Sequence, residues 1–279
     1  MNRRRFLSLA VGGALAGVAH AKPGGGVALV LGGGGCRGYG HIGVLRVFER
    51  NGLRPDLIVG SSVGSLVGAF YAAGVPVERI ERFGQRLNPN TLRDWIFPKL
   101  GVFGGAGIRK FVNARLGERT IESLGTRFAV VATDLRTGES AILDKGDLGR
   151  AVQASSSAPG LLEPVRIGKR LLVEGNLSAA VPVDAARRLG AKHVIAVDVT
   201  FPPGEAELKD PFDALYQGFS ILTRKIALDE RSRADVLIAP ALPEHNEMSS
   251  ATITALMDAG ERAANEALPK LRTIFKRAP

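Results

Sequence analysis

Residues 27–45 read VALVLGGGGCRGYGHIGVL: an apolar run, six glycines between Leu31 and His41, and a second apolar run. Glycine gives up the most backbone freedom on folding, so the interiors of helices and strands avoid it. Val27–Leu31 has the character of a strand, and Gly40–Asn51 has helical spacing closed by Asn51-Gly52. A glycine loop between a strand and a helix suits something that must approach the main chain closely. Two such things are the phosphates of a dinucleotide and an oxygen that turns negative during a reaction. Gly33-x-Gly35-x-x-Gly38 satisfies the dinucleotide spacing. A dinucleotide site also wants an acidic residue at the end of the second strand, about 20 residues on. Here the second strand, Leu57–Val59, ends in Gly60-Ser61-Ser62, and Asp56 stands before it, at the wrong end. The cofactor reading loses its ribose anchor.

Gly60-Ser61-Ser62-Val63-Gly64 is G-x-S-x-G between that strand and a helix starting near Val63, the context of a nucleophile elbow. The spacing has a steric reason: glycines two before and two after the serine let strand and helix approach across a tight turn. Ser62 then stands at a helix N-terminus, where the dipole favours negative charge. Ser61 and Ser65 lack flanking glycines in register. The two loops explain each other if both lie at the carboxyl edge of a parallel sheet, where such sheets bind ligands. The amides of Gly33, Gly34, Gly35, Cys36, Arg37 and Gly38 are then candidates for an oxyanion hole facing Ser62, with Gly60 and Gly64 framing the elbow. Arg37 is read as tying the loop down.

Short apolar runs alternate with helical patterns along the rest of the chain. Strands are expected at 128–133, 140–143, 170–173, 193–199 and 236–239. Helices are expected at 63–73, 77–85, 107–116, 148–156, 182–189, 211–234 and 250–268. This alternation implies an α/β fold with a mostly parallel sheet covered on both faces. Residues 86–106 break the rhythm with two prolines, the only tryptophan and two phenylalanines; they read as an irregular insertion, a cover over a cleft, or a lipid-touching surface. A single cysteine, Cys36, excludes an internal disulfide framework and a Cys-rich metal site.

The first 21 residues, MNRRRFLSLAVGGALAGVAHA, join a basic start to an apolar stretch and end in Ala-His-Ala. This is the layout of a cleaved signal peptide, and Arg3-Arg4-x-Phe6-Leu7 resembles the twin-arginine export signal. The expected location is therefore exported, periplasmic, with residues 1–21 engaging the twin-arginine machinery. Three arginines of the leader belong to the formal charge of +10. The remaining excess is spread without a dense basic run, which argues against nucleic acid as a partner and is compatible with anionic lipid surfaces.

A neutral serine needs a base. His41 follows the glycine loop directly, His193 begins a strand at the end away from the site, and His245 fits the chain order of a Ser–acid–His triad. A more specific reading comes from the motifs together. The run Gly33-Gly34-Gly35-Cys36-Arg37-Gly38, followed by Gly60-Ser61-Ser62-Val63-Gly64, resembles the first two signatures of patatin-like phospholipases, serine lipid acyl hydrolases. The similarity continues through ATDLRTGE (132–139), ASSSAPGLLEPV (154–165) and PVDAARRLGAKHVIAVDV (182–199), within one hydrolase domain over 25–275.

That resemblance implies a three-layer α/β/α sandwich, a lipid ester substrate met at a membrane surface without a span, no metal and no cofactor. It also implies a Ser–Asp dyad whose aspartate follows a strand in Asp-Gly-Gly or Asp-Gly-Ala. The matching place here reads Glu174-Gly175-Asn176. Three outcomes are open: Glu174 serves as the base, the protein is weakly active or a non-catalytic lipid binder, or another acid such as Asp134 or Asp198 serves. Asp184 reads as an early-helix acid. If the family geometry is otherwise intact, Glu174→Asp is expected to speed turnover.

Overall fold

A computed structural model describes residues 26–86, 100–201, 211–243 and 249–277. The expected leader at 1–21, most of the 86–106 insertion and His245 lie outside the described residues. From the amino end, β1 (Val27–Leu31), α1 (Tyr39–Arg50), β2 (Leu57–Ser61), α2 (Val63–Ala72) and α3 (Val77–Gln85) follow one another. Next come β3 (Gly101–Phe103), α4 (Ala106–Leu116), β4 (Arg127–Asp134), β5 (Ser140–Leu143) and α5 (Leu148–Ser155). The chain continues through β6 (Gly160–Leu162), β7 (Val165–Ile167), β8 (Arg170–Val173), α6 (Val183–Arg188) and β9 (His193–Val197). It ends with α7 (Pro211–Arg231), β10 (Val236–Ile238) and α8 (Ser250–Arg277).

The main sheet runs β10-β9-β1-β2-β4-β8-β7, with β5 also paired to β4. From β10 to β4 every pairing is parallel, while β5, β7 and β8 add antiparallel pairs. The α/β sandwich with a mostly parallel sheet is thus the observed architecture. β1 shows why the sheet is covered twice, since all five of its residues are buried. Val27, Leu29 and Leu31 face a large core shared with α1, α2 and α8. Ala28 and Val30 face a thinner core of small residues shared with α6 and α7, including Ala180, Ala186 and Ala227. Bulky side chains alternate with small ones along one strand, and the two faces differ in depth accordingly.

Two features position the site. The parallel strands β1 and β2 end side by side, Leu31 opposite Gly60, so their following loops share one edge. β8 runs the other way: Val173 lies opposite Thr133 near the carboxyl end of β4. An antiparallel strand enters from the loop edge, so the residue after Val173 is delivered close to that edge rather than at the far end of the sheet.

α8 departs from the sequence expectation. It continues to Arg277 through Pro269, where the missing amide and ring clash cost roughly 3 kcal/mol. Beyond the proline, Leu271 and Ile274 are buried against the large core, and that burial offsets the break. β3 pairs with β6 in a separate two-stranded sheet; neither strand has a pattern long enough to read from sequence.

Candidate active site

Ser62 is the residue between β2 and α2, with φ 50° and ψ −125°. It is the only non-glycine with positive φ among the described residues. Such a conformation costs on the order of 1–3 kcal/mol and persists only where the surroundings over-determine it. Here they do. The Ser62 amide donates to Ser155 Oγ at 2.7 Å, and that hydroxyl donates to Val131 O at 2.6 Å. Ser65 Oγ donates to Ser62 O at 2.6 Å. A Cβ at Gly64 would fall 2.0 Å from Leu31 O, and one at Gly60 would fall 2.4 Å from Ser65 Cα. Gly60 thus answers to a backbone contact across the turn, and Gly64 to the end of β1. Ser61 is fully buried and donates to Asn176 Oδ1 at 3.0 Å. Both neighbouring serines hold structure, and the hydroxyl of Ser62 alone stands at the mouth of the cavity described below.

The buried Glu174 carboxyl lies near the Ser62 side chain, which lowers it against the rise that burial causes. Three contacts fix it there. The Glu174 amide donates to Ser157 O at 2.9 Å, Thr133 Oγ1 donates to Glu174 O at 2.8 Å, and the Asn176 amide reaches Glu174 Oε1 at 3.5 Å. Gly175 is required for the approach, because a Cβ there would fall 2.3 Å from Val131 O and 2.5 Å from Ser61 Oγ. Burial pushes the Glu174 carboxyl up from 4.5 to about 7, against the opposing effects of Ser62 and the Asn176 amide. A carboxyl poised near neutrality can take a proton and return it.

The glycine loop is narrower in its possibilities than its sequence suggests. The Gly33 amide donates to Ala180 O at 2.9 Å and the Arg37 amide to Gly34 O at 3.0 Å. Gly38 closes a 3-10 turn over Gly35–Gly38 and packs on Val63, which a Cβ would meet at 2.3 Å. Gly33 and Arg37 therefore spend their amides on the loop, and Gly35, Cys36 and Gly38 line the cavity at Ser62. Arg37 is buried; its Nε donates to Val199 O at 3.2 Å and its guanidinium stacks 5.4 Å from the Phe201 ring. Those contacts tie the loop to the extension of β9. Burial raises the Cys36 thiol.

The other candidates lie elsewhere or are committed. His41 is fully buried, and its Nε2 meets Gly32 O at 2.8 Å. Burial lowers it to about 4, so the ring is neutral. A carbonyl only accepts, which puts the proton on Nε2. His41 is a strut under the glycine loop. His193 pairs with Val27 at the starts of their strands, the opposite end from Ser62. Asp198 is buried between Arg224 at 3.0 Å and Arg231 at 2.6 Å. Asp134 caps a turn by accepting from the Arg136 amide at 3.0 Å, and Asp184 pairs with Arg233 at 2.9 Å. None of these acids is turned to Ser62.

A cavity of about 450 Å³ opens at Ser62, Gly35, Cys36 and Gly38. Its wall follows α2 through Val63, Leu66, Val67 and Phe70, a span of about 12 Å. Ile80 and Phe83 of α3, Phe111 of α4 and Ile253 of α8 complete an almost wholly apolar lining. Phe70 contacts Phe83 and Phe111 with ring centroids 5.5 and 5.9 Å apart, and Arg115 lies 3.6 Å from the Phe111 ring. Among the described residues there is no cluster of three His, Cys, Asp or Glu able to hold a metal ion, and no helix long and apolar enough to cross a membrane.

Ser155, Thr133 and Asn176 support the pair and were not legible as such. Ser155 sits in a run of three serines with no local mark to single it out.

The structure thus places a strained serine on a strand–turn–helix elbow, with a buried carboxyl and an apolar cavity beside it, on an α/β sandwich. Residues 29–187 match the family model for patatin-like phospholipases. The chain belongs to that family. Its relatives include patatin-like phospholipase domain-containing protein 6 of Mus musculus, 35% identical over 190 residues. Lysophospholipase NTE1 of Debaryomyces hansenii is 34% identical over 179 residues. The aligned parts cover 65% and 62% of this chain but only 14% and 12% of those proteins. Among solved structures, VipD from Legionella pneumophila aligns over 88% of this chain and 67% of its own, with a TM-score of 0.61 and 13% identity. That likeness is one of fold.

Proposed function

We propose that this protein is a serine lipid acyl hydrolase that cleaves carboxylic esters of phospholipids, lysophospholipids or related acylglycerols. The observation that carries the reading is the strained Ser62 elbow at an apolar cavity, with the buried Glu174 carboxyl beside it. Family membership points the same way.

In this mechanism the ionised Glu174 takes the Ser62 proton as Oγ attacks the ester carbonyl. The oxygen that becomes negative is held by main-chain amides of the glycine loop where it lines the cavity, and the N-terminus of α2 adds its dipole. As the tetrahedral centre collapses, Glu174 gives its proton to the departing alcohol, and an acyl group stays on Ser62. Glu174 then draws a proton from water, which attacks the acyl-enzyme; as the C–Oγ bond breaks, Glu174 returns that proton to Ser62 and the fatty acid leaves. The cavity along α2 takes one acyl chain, its volume lying within the roughly 300–1,000 Å³ of small-molecule pockets. The chemistry calls on no metal or cofactor. We further propose an exported, periplasmic protein that meets its substrate at a membrane surface; the leader composition and the scattered basic excess support this part.

A fluorophosphonate probe with intact-mass readout tests the core of the reading. One adduct is expected on the wild type and none on Ser62→Ala or Glu174→Gln. Absence of labelling on the wild type would leave a non-catalytic lipid binder. Loss of labelling on His245→Ala, with labelling kept on Glu174→Gln, would instead favour a triad.

A further inference from the structure

α7 is longer than the sheet it covers. Its 21 residues rise about 31 Å, whereas the five residues of β9 extend about 17 Å. The carboxyl half holds the fold. Ile226 and Ala227 join the small-residue core, Glu230 accepts from the Val181 amide at 3.0 Å, and Arg224 and Arg231 clamp Asp198. α7 also packs on the turn Gly175–Leu177, directly behind Glu174. Loss of water raises the Tyr216 hydroxyl, and Cys36 and Glu174 add to the rise.

Residues 214–223, ALYQGFSILT, carry no charge, yet only Ser220 and Thr223 among them are buried. Leu215 is 68% exposed, Tyr216 60%, Leu222 58% and Ile221 39%. One further turn on, Leu228 is also exposed. Among the described residues, more than half of the exposed large apolar side chains belong to this one helix. An apolar patch of this kind marks an interaction surface. Its place settles the kind of partner. It belongs to the helix that packs on the turn behind Glu174, it lacks charge over ten residues, and the exposed cation Lys225 comes two residues later, as in helices that lie at a headgroup boundary.

We propose that the amino half of α7, through Leu215, Tyr216, Ile221 and Leu222, inserts into the headgroup–acyl boundary of a phospholipid bilayer and seats the cavity mouth on it. The proposal rests on the lipid-ester reading of the site, so its test must separate the two. The full-length Ser62→Ala protein, which cannot turn over, is floated with vesicles of phosphatidylcholine and phosphatidylglycerol, with and without Leu215→Asp and Leu222→Asp. The double change should weaken binding on the order of 10²-fold, and the pair Leu215→Met and Leu222→Met should keep it. Hydrogen exchange of 214–223 should slow when vesicles are added. In the Ser62 background, the aspartate pair should hydrolyse vesicle esters far more slowly while still cleaving a soluble p-nitrophenyl ester, which shows that the site is folded. Equal vesicle binding with the aspartate pair would overturn the proposal. So would lipid-free self-association that the pair abolishes while vesicle binding persists, which would assign the face to a second copy of the chain. If the wild type cleaves neither ester but binds vesicles through α7, the hydrolase reading fails and the docking surface stands.

Discussion

Glu174→Gln keeps the length of the side chain and an oxygen that can accept from Ser62, but removes the titrating proton. The wild-type carboxyl titrates near 4.5 in the unfolded chain and about 7 when folded. Its folded value is raised, so its stabilising share is fully present below about pH 4.5 and is lost as pH rises through 7. Above that, the fold holds a buried carboxylate. At about 1.4 kcal/mol for each pH unit between the two values, the loss reaches about 3 kcal/mol. Glutamine has no such loss. The variant should therefore match the wild type at pH 4 and exceed it by about 3 kcal/mol at pH 9, equivalent to roughly 6 °C in Tm for a domain of this size. Glu230, pushed up by burial to about 8, titrates in both proteins and cancels in the difference. Calorimetry at pH 4, 7 and 9 reads the stability, and p-nitrophenyl butyrate hydrolysis reads the chemistry. Wild-type kcat/KM should climb with pH to a plateau above about 7, and the variant should be inactive throughout. Equal melting at pH 9, or retained turnover, would refute the assignment of Glu174 as a buried base.

Three further outcomes follow from the same contacts. Glu174→Asp should slow ester turnover on the order of 10²-fold, because Ser157 O, Thr133 Oγ1 and the crowding at Gly175 pin the backbone and the shorter carboxyl retreats by about 1.5 Å; steady-state kinetics checks it. This reverses the expectation drawn from the sequence, which had no view of how the turn is held. Ser155→Ala should cost about 1–3 kcal/mol in urea unfolding, since it strips a partner from the buried Ser62 amide, and should lower kcat by releasing the strained elbow. Gly43→Ala should destabilise by more than 3 kcal/mol or prevent folding, because its Cβ would fall 1.8 Å from Met257 O where α1 crosses α8; thermal denaturation by circular dichroism reads it.

The elbow was legible because its two glycines stand only four residues apart in sequence, which a spacing rule can capture, although Gly64 answers to Leu31 on β1. The alternation of strands and helices was legible for the same reason: buried strands of four or five apolar residues and amphipathic helices each leave a local pattern. Glu174 was reached through family resemblance, since nothing near it announces that β8 enters antiparallel and delivers it to Ser62. Ser155, Thr133 and Asn176 meet the site across separations of 41 to 115 residues, and such contacts have no local period. The glycine run overstated its own donors: Gly33 and Arg37 spend their amides on Ala180 and Gly34, a matter of topology rather than composition. The end of α8 was missed because proline is a strong local stop, and only tertiary burial of Leu271 and Ile274 overrides it.

The wall of the cavity draws on two parts of the chain with different histories in the family comparison. Ser62, Glu174 and the glycine loop fall within the matched residues 29–187, whereas Ser250 and Ile253, which close the cavity from α8, fall outside them. On the proposed reading, one side of the acyl cavity therefore lies on a stretch of polypeptide apart from the proton-transfer pair. A replacement at Ile253 can retune which fatty chain is accepted and leave the proton-transfer pair untouched, so diversification of substrate need not pass through loss of catalysis.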